Sequence, residues 1–521
     1  MTVQDASPRH SWREAFTVYT RPRVLSMFFL GFAAGLPLLL IFSSLSLWLR
    51  EAGVERAAVT YFSWAALAYS FKFVWAPLID KLPLPVLYPL LGRRRSWLLV
   101  AQLAIIAAIV WMAMVDPAQN LLGMALATVL LGFAAASQDI VIDAYRIESA
   151  DKEWQASLAA MYIAGYRIGM LVSGAGALYL AAWFGTETEV YRYEAWRLTY
   201  LCMAAMMLVG VLTTLLIPEP VPNEHRSPYL HSTLDYVRFV VLFAAVSGVF
   251  VYSLLNSGIA PLTGEFLLQQ LGVNGVLSAF LAQLVQLLAA AVLALLTAYV
   301  LISTHVVNRG MARETYVEPV VDFFKRYRKL AMWLLLLVGF YRISDIVLGV
   351  ISNVFYQDLG FSKEEIASLT KAFGLIMVLV GGFVGGALTV RFGVMRILLL
   401  GAVLAAATNL LFVWLAYAGN DVQVLAIVIA ADNLCAGLAS AAFIAYLSSL
   451  TNISFTAMQY AILSSLMTLF PKLLGGYSGS IIEQLDYNGF FVLTTLLGVP
   501  VILLVWYLMR RQEEFIHQND G

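Results

Sequence analysis

Residues 121–148 read LLGMALATVLLGFAAASQDIVIDAYRIE, a long apolar stretch with an amide, three acids and a base near its end. About 20 apolar residues suffice for a helix to cross the hydrocarbon core of a bilayer, so the stretch predicts a membrane-spanning helix. Asp139 and Asp143 are four residues apart and share one helical face, and Arg146 follows one turn later. A charge at bilayer depth costs roughly 3 kcal/mol, so such residues usually face a polar cavity or a charged partner.

Similar apolar stretches recur along the whole chain. Of the 521 residues, 61% are hydrophobic and 12% are charged, whereas soluble domains hold about 25% charged residues. We predict an all-α membrane protein with about 14 spanning helices. They lie near residues 24–49, 58–80, 96–115, 121–148, 156–184, 197–217, 236–258, 276–304, 330–356, 364–390, 395–418, 422–449, 457–483 and 488–509.

Two polar breaks divide these spans into groups of six, two and six. The first break is rich in proline, and the second, residues 304–329, is basic and amphipathic. The middle pair of spans carries almost no charge, which is typical of a lipid-facing accessory hairpin. The predicted parts are an arm at 1–23, a six-helix bundle at 24–217, a linker at 218–329 with the accessory hairpin at about 236–304, a second bundle at 330–509, and a tail at 510–521.

The basic residues lie on alternate loops, about 20 on one side against about 5 on the other, which places the basic side in the cytoplasm. Both termini are then cytoplasmic, in agreement with an even number of spans. The polar segment 1–23 has no short apolar core followed by a cleavage site, so we expect it to remain in the mature protein.

Ionisable residues occur inside the spans of both bundles. This pattern predicts a water-accessible path between two helical bundles, as a transporter needs. The residues are Lys72, Asp139, Asp143, Arg146, Arg167, Arg342, Asp345, Lys371, Asp432 and Lys472.

No pattern indicates catalysis. The sequence has no phosphate-binding loop, no nucleophile elbow and no His or Cys ligand cluster, and we interpret Cys202 and Cys435 as packing residues. We therefore expect no catalytic residue, metal, cofactor or nucleic-acid partner. A subunit of a membrane-embedded enzyme is the alternative class, because intramembrane charges alone fit it too.

Several sequence motifs occur in both halves of the chain. They are GFAAGLP at 31–37, FKFVWAPLID at 71–80, GRRRSW at 92–97, ASQDIVIDA at 136–144, GYRIGMLVSG at 165–174, YRISD at 341–345, DNLCAG at 432–437 and TNISFTAMQY at 451–460. Together these motifs resemble the AmpG family of muropeptide permeases, within the major facilitator superfamily. The resemblance covers both bundles, whereas some members carry the extra pair of spans at the C-terminal end. The Asp80…Gly92-Arg93-Arg94-Arg95 loop departs from the general superfamily pattern through Ala76 and a proline-rich insertion.

The resemblance implies two six-helix bundles around a central cavity, here with two extra helices between them. It also implies import of GlcNAc-1,6-anhydro-MurNAc peptides across the bacterial inner membrane, driven by the proton gradient. We expect a monomer embedded in the lipid bilayer. A proton symporter for another large polar solute, such as an oligosaccharide or an acyl-CoA type anion, is the alternative.

The candidate site residues fall into two groups. Two carboxylates as close as Asp139 and Asp143 cannot both be charged at low cost, so one is expected to carry a proton. The proton-coupling candidates are Asp139, Asp143, Asp345 and Asp432, and the substrate-binding candidates are Gln138, Tyr166, Arg167, Lys72, Arg342, Lys371 and Asn433.

Some of these roles have open alternatives. Arg167 either pairs with Asp139 or binds a substrate carboxylate with its planar fork. Lys72 either extends toward the cytoplasmic interface or is a cation inside the bundle. Arg342 and Asp345 are spaced to pair with each other, and the glycines around Arg167, such as Gly165 and Gly169, are expected to be packing residues.

Overall fold

The computed structural model consists of helices and their connections. It describes residues 17–54, 62, 69, 71–185, 191–220, 233–272, 274–304, 310, 313–362, 365–366, 368–475 and 478–519. Within these residues, 13 helices are long and apolar enough to cross a membrane. The predicted span at 58–80 lies mostly outside the described residues, and only its last part, from residue 71, forms a continuous described segment.

The described part of the first bundle contains ten α-helices, because several predicted spans are broken along their length. The predicted span at 24–49 is interrupted at Phe42, and that at 156–184 contains a π-helical turn, Val172–Gly176. The helices are α1 (Pro22–Ile41), α2 (Ser43–Glu51), α3 (Ala76–Lys81), α4 (Leu87–Leu91), α5 (Arg93–Ala113), α6 (Leu121–Ser149), α7 (Gln155–Leu171), α8 (Ala177–Trp183), α9 (Tyr193–Met206) and α10 (Leu208–Leu216).

The accessory segment forms α11 (Thr233–Asn256), α12 (Ile259–Gln269) and α13 (Gly275–Ser303). The sequence predicted two helices here, and the structure adds α12 in their connection. The segment packs against the predicted second span, where the rings of Phe250 and Phe71 are 5.0 Å apart. Its outer face is apolar and exposed, as at Leu295 (69% exposed), which suits contact with lipid.

The second bundle begins with a helix that the sequence had placed in the basic linker. The last helix of the bundle also differs from the predicted last span. This helix, α21, starts at Ser478, kinks at Asp486 and continues through most of the predicted tail. The helices are α14 (Glu318–Tyr327), α15 (Ala331–Phe340), α16 (Ile343–Asp358), α17 (Gly374–Phe392), α18 (Val394–Ala418), α19 (Val422–Leu450), α20 (Thr456–Gly475) and α21 (Ser478–Asn519).

The fourth spans of the two bundles, α6 and α19, begin in the same way. The Asn120 side chain accepts a hydrogen bond from the backbone N–H of Gly123, and Asp421 accepts from Gln423 and Val424. These side chains satisfy backbone donors that the first helical turn leaves free. The caps fix where α6 and α19 start, and hence the depth of the acids further along them.

Glycines bring pairs of helices into backbone contact. A Cβ atom on Gly35 of α1 would lie 2.0 Å from the Tyr166 carbonyl oxygen of α7, and one on Gly165 would lie 1.8 Å from that of Phe28. The second bundle has a similar close contact between α17 and α19, since a Cβ on Gly381 would lie 2.0 Å from the Leu434 carbonyl oxygen. The prediction that Gly165 is a packing residue is confirmed.

The loop motif around Asp80 is assembled into a buried charge cluster. Arg94 Nη2 lies 2.7 Å from Asp80 Oδ1 and 2.6 Å from Glu148 Oε1. Glu219 accepts hydrogen bonds from the backbone N–H groups of Arg94 and Arg95, which caps the start of α5. The cluster ties α3, α5 and α6 together at one end of the bundle, which we call the basic end because its loops carry the clustered arginines.

The two bundles meet at this basic end. The other carboxylate oxygen of Asp80 accepts a hydrogen bond from Met458 N of α20 (3.4 Å), and Tyr19 OH donates to the Phe383 carbonyl of α17 (2.9 Å). Further contacts join α7 to α17 and α20 to α6. Arg167 lies deeper on α7, away from these contacts, and its side chain is exposed. The bundles are therefore closed at the basic end, with accessible space beyond it.

Candidate functional site

The first cluster of the site centres on Asp143, which lies between two cations. Lys72 Nζ is 3.3 Å from Asp143 Oδ2, and Arg146 Nη2 is 3.4 Å from Asp143 Oδ1. Lys72 is carried by a 3₁₀ turn, Lys72–Val74, just before α3, and its side chain is only 9% exposed. The sequence allows Lys72 either to extend toward the cytoplasmic interface or to be a cation inside the bundle. In the structure its side chain lies inside the bundle.

Arg146 joins this cluster to the second bundle. Its Nη1 donates to Ser448 Oγ of α19 at 2.9 Å, and its guanidinium lies 5.1 Å from the ring centroid of Tyr460 of α20. The side chain is fully buried. Tyr460 ends the TNISFTAMQY motif, which was a signal in the sequence, but Ser448 stands in an apolar stretch that gave none.

Asp139 shares the helical face of Asp143, as the spacing predicts, but it has a different partner. The hydroxyl of Tyr162 on α7 lies 3.4 Å from Asp139 Oδ1. Within the described part of the chain Asp139 forms no ion pair, although Lys72 is near enough for its charge to act on it. Among the described residues, the Asp143 carboxylate thus lies between Lys72 and Arg146, whereas the direct polar partner of the Asp139 carboxylate is the Tyr162 hydroxyl.

Arg167 projects into open space from the middle of α7. Its side chain is exposed, and among the described residues it forms no ion pair, so the pairing with Asp139 does not occur in this conformation. Its neighbour Tyr166 is half-buried, with its ring 5.9 Å from that of Tyr162. The placement leaves the guanidinium free to contact a solute.

Gln138 does not face the open space into which Arg167 projects. It is fully buried, and its amide nitrogen donates to the Ala33 carbonyl of α1 at 3.1 Å. The side chain therefore links α6 to α1 through this hydrogen bond. It does not line the open space, whereas the sequence predicted that it contacts substrate. A helical residue next to Asp139 in sequence points about 100° away from it, which explains the difference.

The second cluster lies in the other bundle, around Arg342. This residue occupies the break between α15 and α16, its Nη1 donates to Ser440 Oγ at 2.8 Å, and its Nε is 3.6 Å from Asp345 Oδ2. Asp432 on α19 is half-buried and close enough to interact electrostatically with both Asp345 and Arg342. Arg342 is also near enough to Arg167 of the first bundle for the two charges to interact electrostatically.

The remaining candidates are less informative. Asn433 is half-buried and donates to the Ile429 carbonyl one turn earlier, at 2.9 Å. The side chains of Lys371 and Lys472 lie outside the described residues, although their backbones belong to a π-helical turn, Ser368–Phe373, and to α20. Among the residues that are described, no group of three His, Cys, Asp or Glu side chains is arranged to hold a metal ion.

Known proteins share this organisation. The sequence matches the Major Facilitator Superfamily over residues 24–311 and 333–520. A solved structure with a similar fold is the proton:xylose symporter XylE bound to 6-bromo-6-deoxy-D-glucose, with a TM-score of 0.57, 12% identity and 96% of each chain covered. At this identity the likeness shows the fold alone.

Two relatives are similar over almost the whole chain. The putative transporter AmpG 4 of Rickettsia felis is 30% identical over 489 residues, covering 94% of this chain and 97% of the relative. The anhydromuropeptide permease of Escherichia coli K12 is 28% identical over 506 residues, covering 97% and 83% respectively. With its two helical bundles, accessory helices and charged interior, this chain belongs to the AmpG family of transporters in the major facilitator superfamily.

Proposed function

We propose that this transporter imports anhydro-muropeptides, GlcNAc-1,6-anhydro-MurNAc peptides, together with protons across the bacterial inner membrane. The observation that carries the proposal is the exposed Arg167, which forms no ion pair among the described residues, with Arg342 of the opposite bundle near enough for the two charges to interact. The name of the Escherichia coli relative supports the substrate class.

The arginine pair suits a solute with carboxylates. Two cations held near each other repel, and a bound anion removes that repulsion. A guanidinium also binds a carboxylate through two parallel hydrogen bonds, which orients the ligand. The peptide of a muropeptide carries carboxylates, whereas a neutral oligosaccharide would leave the repulsion in place. Arg342 is already in contact with Asp345, so we assign the stronger attraction for substrate to Arg167.

We assign the proton to Asp139. Asp143 forms ion pairs with Lys72 and Arg146, whereas Asp139 contacts the Tyr162 hydroxyl. A carboxyl group with that partner can remain neutral at depth and become charged when a cation approaches. Arg167 is about one and a half turns from Tyr162 along α7, so a movement of α7 relative to α6 would change the surroundings of Asp139.

The closed basic end supports alternating access with the cavity open to the opposite side. If the basic loops face the cytoplasm, as the positive-inside rule predicts, this conformation takes up substrate from the periplasm. Opening of the basic end then requires separation of Arg146 from Ser448 and of Asp80 from Met458 N.

Uptake into proteoliposomes tests the proposal. Labelled anhydro-muropeptide is expected to accumulate when an inward proton gradient is imposed, and only to equilibrate when a protonophore is present. Competition with an unlabelled anhydro-disaccharide lacking the peptide separates recognition of carboxylates from recognition of sugar.

The competition also tests the alternative solutes. Equal competition by the disaccharide would contradict the role given to the arginines, and stronger competition by an acyl-CoA would identify the other class of anion. Accumulation that is unaffected by the protonophore would contradict proton coupling.

A further inference from the structure

A cavity lies on the outside of the first bundle, at the basic end. It has a volume of about 900 Å³ and lies between the start of α1 and the end of α10, with the turn after α6 at its mouth. We call it the α1–α10 groove. The central charge clusters take no part in it, since none of their residues lines it.

The walls of the groove are apolar and open outward. Leu25 and Phe29 form the α1 wall, and Leu212 and Leu216 form the α10 wall. Their exposed fractions are 44%, 39%, 59% and 84%, so these side chains face away from the bundle core. In a helix that crosses the bilayer, such a surface is covered by lipid chains, because water contact would cost free energy in proportion to the apolar area.

Two arginines lie at the mouth of the groove. Arg21 lies over the ring of Trp154 at 4.6 Å, and Arg23 donates from Nη1 to the Ser149 carbonyl at 3.1 Å. These contacts hold both guanidinium groups in place, and among the described residues only Arg23 Nη1 donates a hydrogen bond from them. In the described part of the chain neither arginine forms an ion pair, although Asp151 also lines the mouth.

We propose that the α1–α10 groove binds an anionic phospholipid from the leaflet at the basic end. The phosphate contacts Arg21 and Arg23, and one acyl chain lies between the apolar walls of α1 and α10. The charge at the mouth selects the headgroup, because the net charge of two arginines and Asp151 favours an anion. Basic pockets between spanning helices on the cytoplasmic side have the chemistry that recognises acidic headgroups.

The size of the groove agrees with this occupant. A drug-sized ligand fills a cavity of roughly 300–1,000 Å³, and the groove volume of about 900 Å³ lies within that range. A free phosphate ion would use the arginines but leave the apolar walls uncovered. A phospholipid is therefore the source of phosphate to which we commit.

Lipid retention by the full-length protein tests the proposal. The purified transporter in a mild detergent is mixed with equal amounts of phosphatidylglycerol and phosphatidylcholine, and bound lipid is counted by native mass spectrometry. The wild type is expected to retain phosphatidylglycerol in preference. Since each arginine near an anionic surface contributes about 1 kcal/mol, the double variant Arg21→Gln/Arg23→Gln should bind it about 30-fold more weakly.

A matched pair of arginines provides the control. Arg510 and Arg511 are also exposed and lie over aromatic rings, those of Trp506 and Tyr507, so Arg510→Gln/Arg511→Gln removes the same charge outside the groove. This control should retain phosphatidylglycerol as the wild type does. Equal retention of the two lipids by the wild type, or equal losses in both double variants, would overturn the proposal.

A variant that keeps the charge separates the lipid from a simple ion. Leu212→Trp fills the apolar part of the groove and should weaken retention while Arg21 and Arg23 remain. Soluble glycerol phosphate should not displace the bound lipid. Displacement, or full retention by Leu212→Trp, would show that the acyl chain does not occupy the groove, and this variant decides the question if the arginine variant does not fold.

Discussion

At the scale of single residues, the two acids of α6 are distinguished by their neighbours. Asp143 has Lys72 at 3.3 Å and Arg146 at 3.4 Å, whereas Asp139 has the Tyr162 hydroxyl at 3.4 Å. Two carboxylates that are equivalent by sequence spacing therefore receive different proposed roles, Asp143 in holding the bundle together and Asp139 in carrying the proton.

The substitution Asp139→Asn tests the second role. The amide keeps the shape of the neutral acid but cannot release a proton, so gradient-driven accumulation should be lost while exchange of substrate for substrate continues. Both are measured in proteoliposomes. Glu194→Gln changes an exposed acid on the protein surface and should leave accumulation intact. If Asp139→Asn accumulates substrate like the wild type, the coupling role passes to another acid.

The Asp143 cluster predicts an order of stability among its variants. Asp143→Asn leaves Lys72 and Arg146 without their shared anion and should cost roughly 3–5 kcal/mol, because two buried cations then lack a partner. Lys72→Met should cost less, since Asp143 keeps Arg146. Thermal unfolding in detergent measures both, and adding Lys72→Met to Asp143→Asn should restore part of the loss. A larger loss for Lys72→Met alone would contradict this arrangement.

At the scale of elements, close helix contact depends on a few glycines. The backbones of α1 and α7 approach at Gly35 and Gly165, and those of α17 and α19 approach at Gly381. Small residues at such crossings allow the van der Waals contact that drives helix association within a membrane. The same crossing positions α7, which carries Tyr162 beside Asp139 of α6 and the exposed Arg167, so the packing also positions the site.

Gly35→Ala should weaken the fold measurably. The new methyl group would lie 2.0 Å from the Tyr166 carbonyl oxygen, and overpacking of this kind costs roughly 1–3 kcal/mol. Gly248→Ala on α11 is the matched control, because no heavy atom lies within 4 Å of its Cβ position. The control should unfold at the wild-type temperature or slightly above it. Equal melting temperatures for the two variants would be inconsistent with the close approach of α1 and α7.

At the scale of the whole molecule, the structure is one conformation of a transport cycle. The basic end is closed by contacts between bundles, among them Arg146 with Ser448 and Tyr19 with Phe383. The accessory helices α11 to α13 pack on the outside of the first bundle and leave this closure to the two bundles.

A disulfide across the closed end should arrest transport. A Cβ atom on Gly386 would lie 3.4 Å from Ala160 Cβ, close to the separation of about 3.5–4.5 Å found in disulfides. In a background with Cys202→Ala and Cys435→Ala, the double variant Ala160→Cys/Gly386→Cys should lose uptake on oxidation and regain it on reduction. Uptake by the cross-linked protein would exclude opening of the basic end as a transport step. Each single-cysteine variant serves as the control.

The orientation in the membrane has its own test. Leu90, near the basic loop, and Tyr417, at the far end of α18, are 74% and 77% exposed. In the same cysteine-free background, Leu90→Cys should react with an impermeant thiol reagent only from the cytoplasmic side, and Tyr417→Cys only from the other side. Reaction of both from one side would contradict the predicted topology. Arg94 is unsuitable for this purpose, because its side chain is buried.

The sequence alone was sufficient for the class of protein and for most of the spans. These properties are local, because the length and hydropathy of a stretch decide whether it can cross a bilayer. The helix breaks at Phe42 and beside Arg342 were not predicted, since a continuous apolar stretch carries no signal for a local turn at such positions.

The partners of the charged residues were decided by the tertiary structure. Periodicity placed Asp139 and Asp143 on one face, but only the packing of α7 and of the turn at Lys72 against α6 gave them a hydroxyl and two cations. Likewise, Gln138 belongs to a motif but is buried against α1, and Ser448 belongs to none but contacts Arg146 across the bundles. Spacing along one helix determines the direction of a side chain, whereas its partner depends on helices distant in sequence.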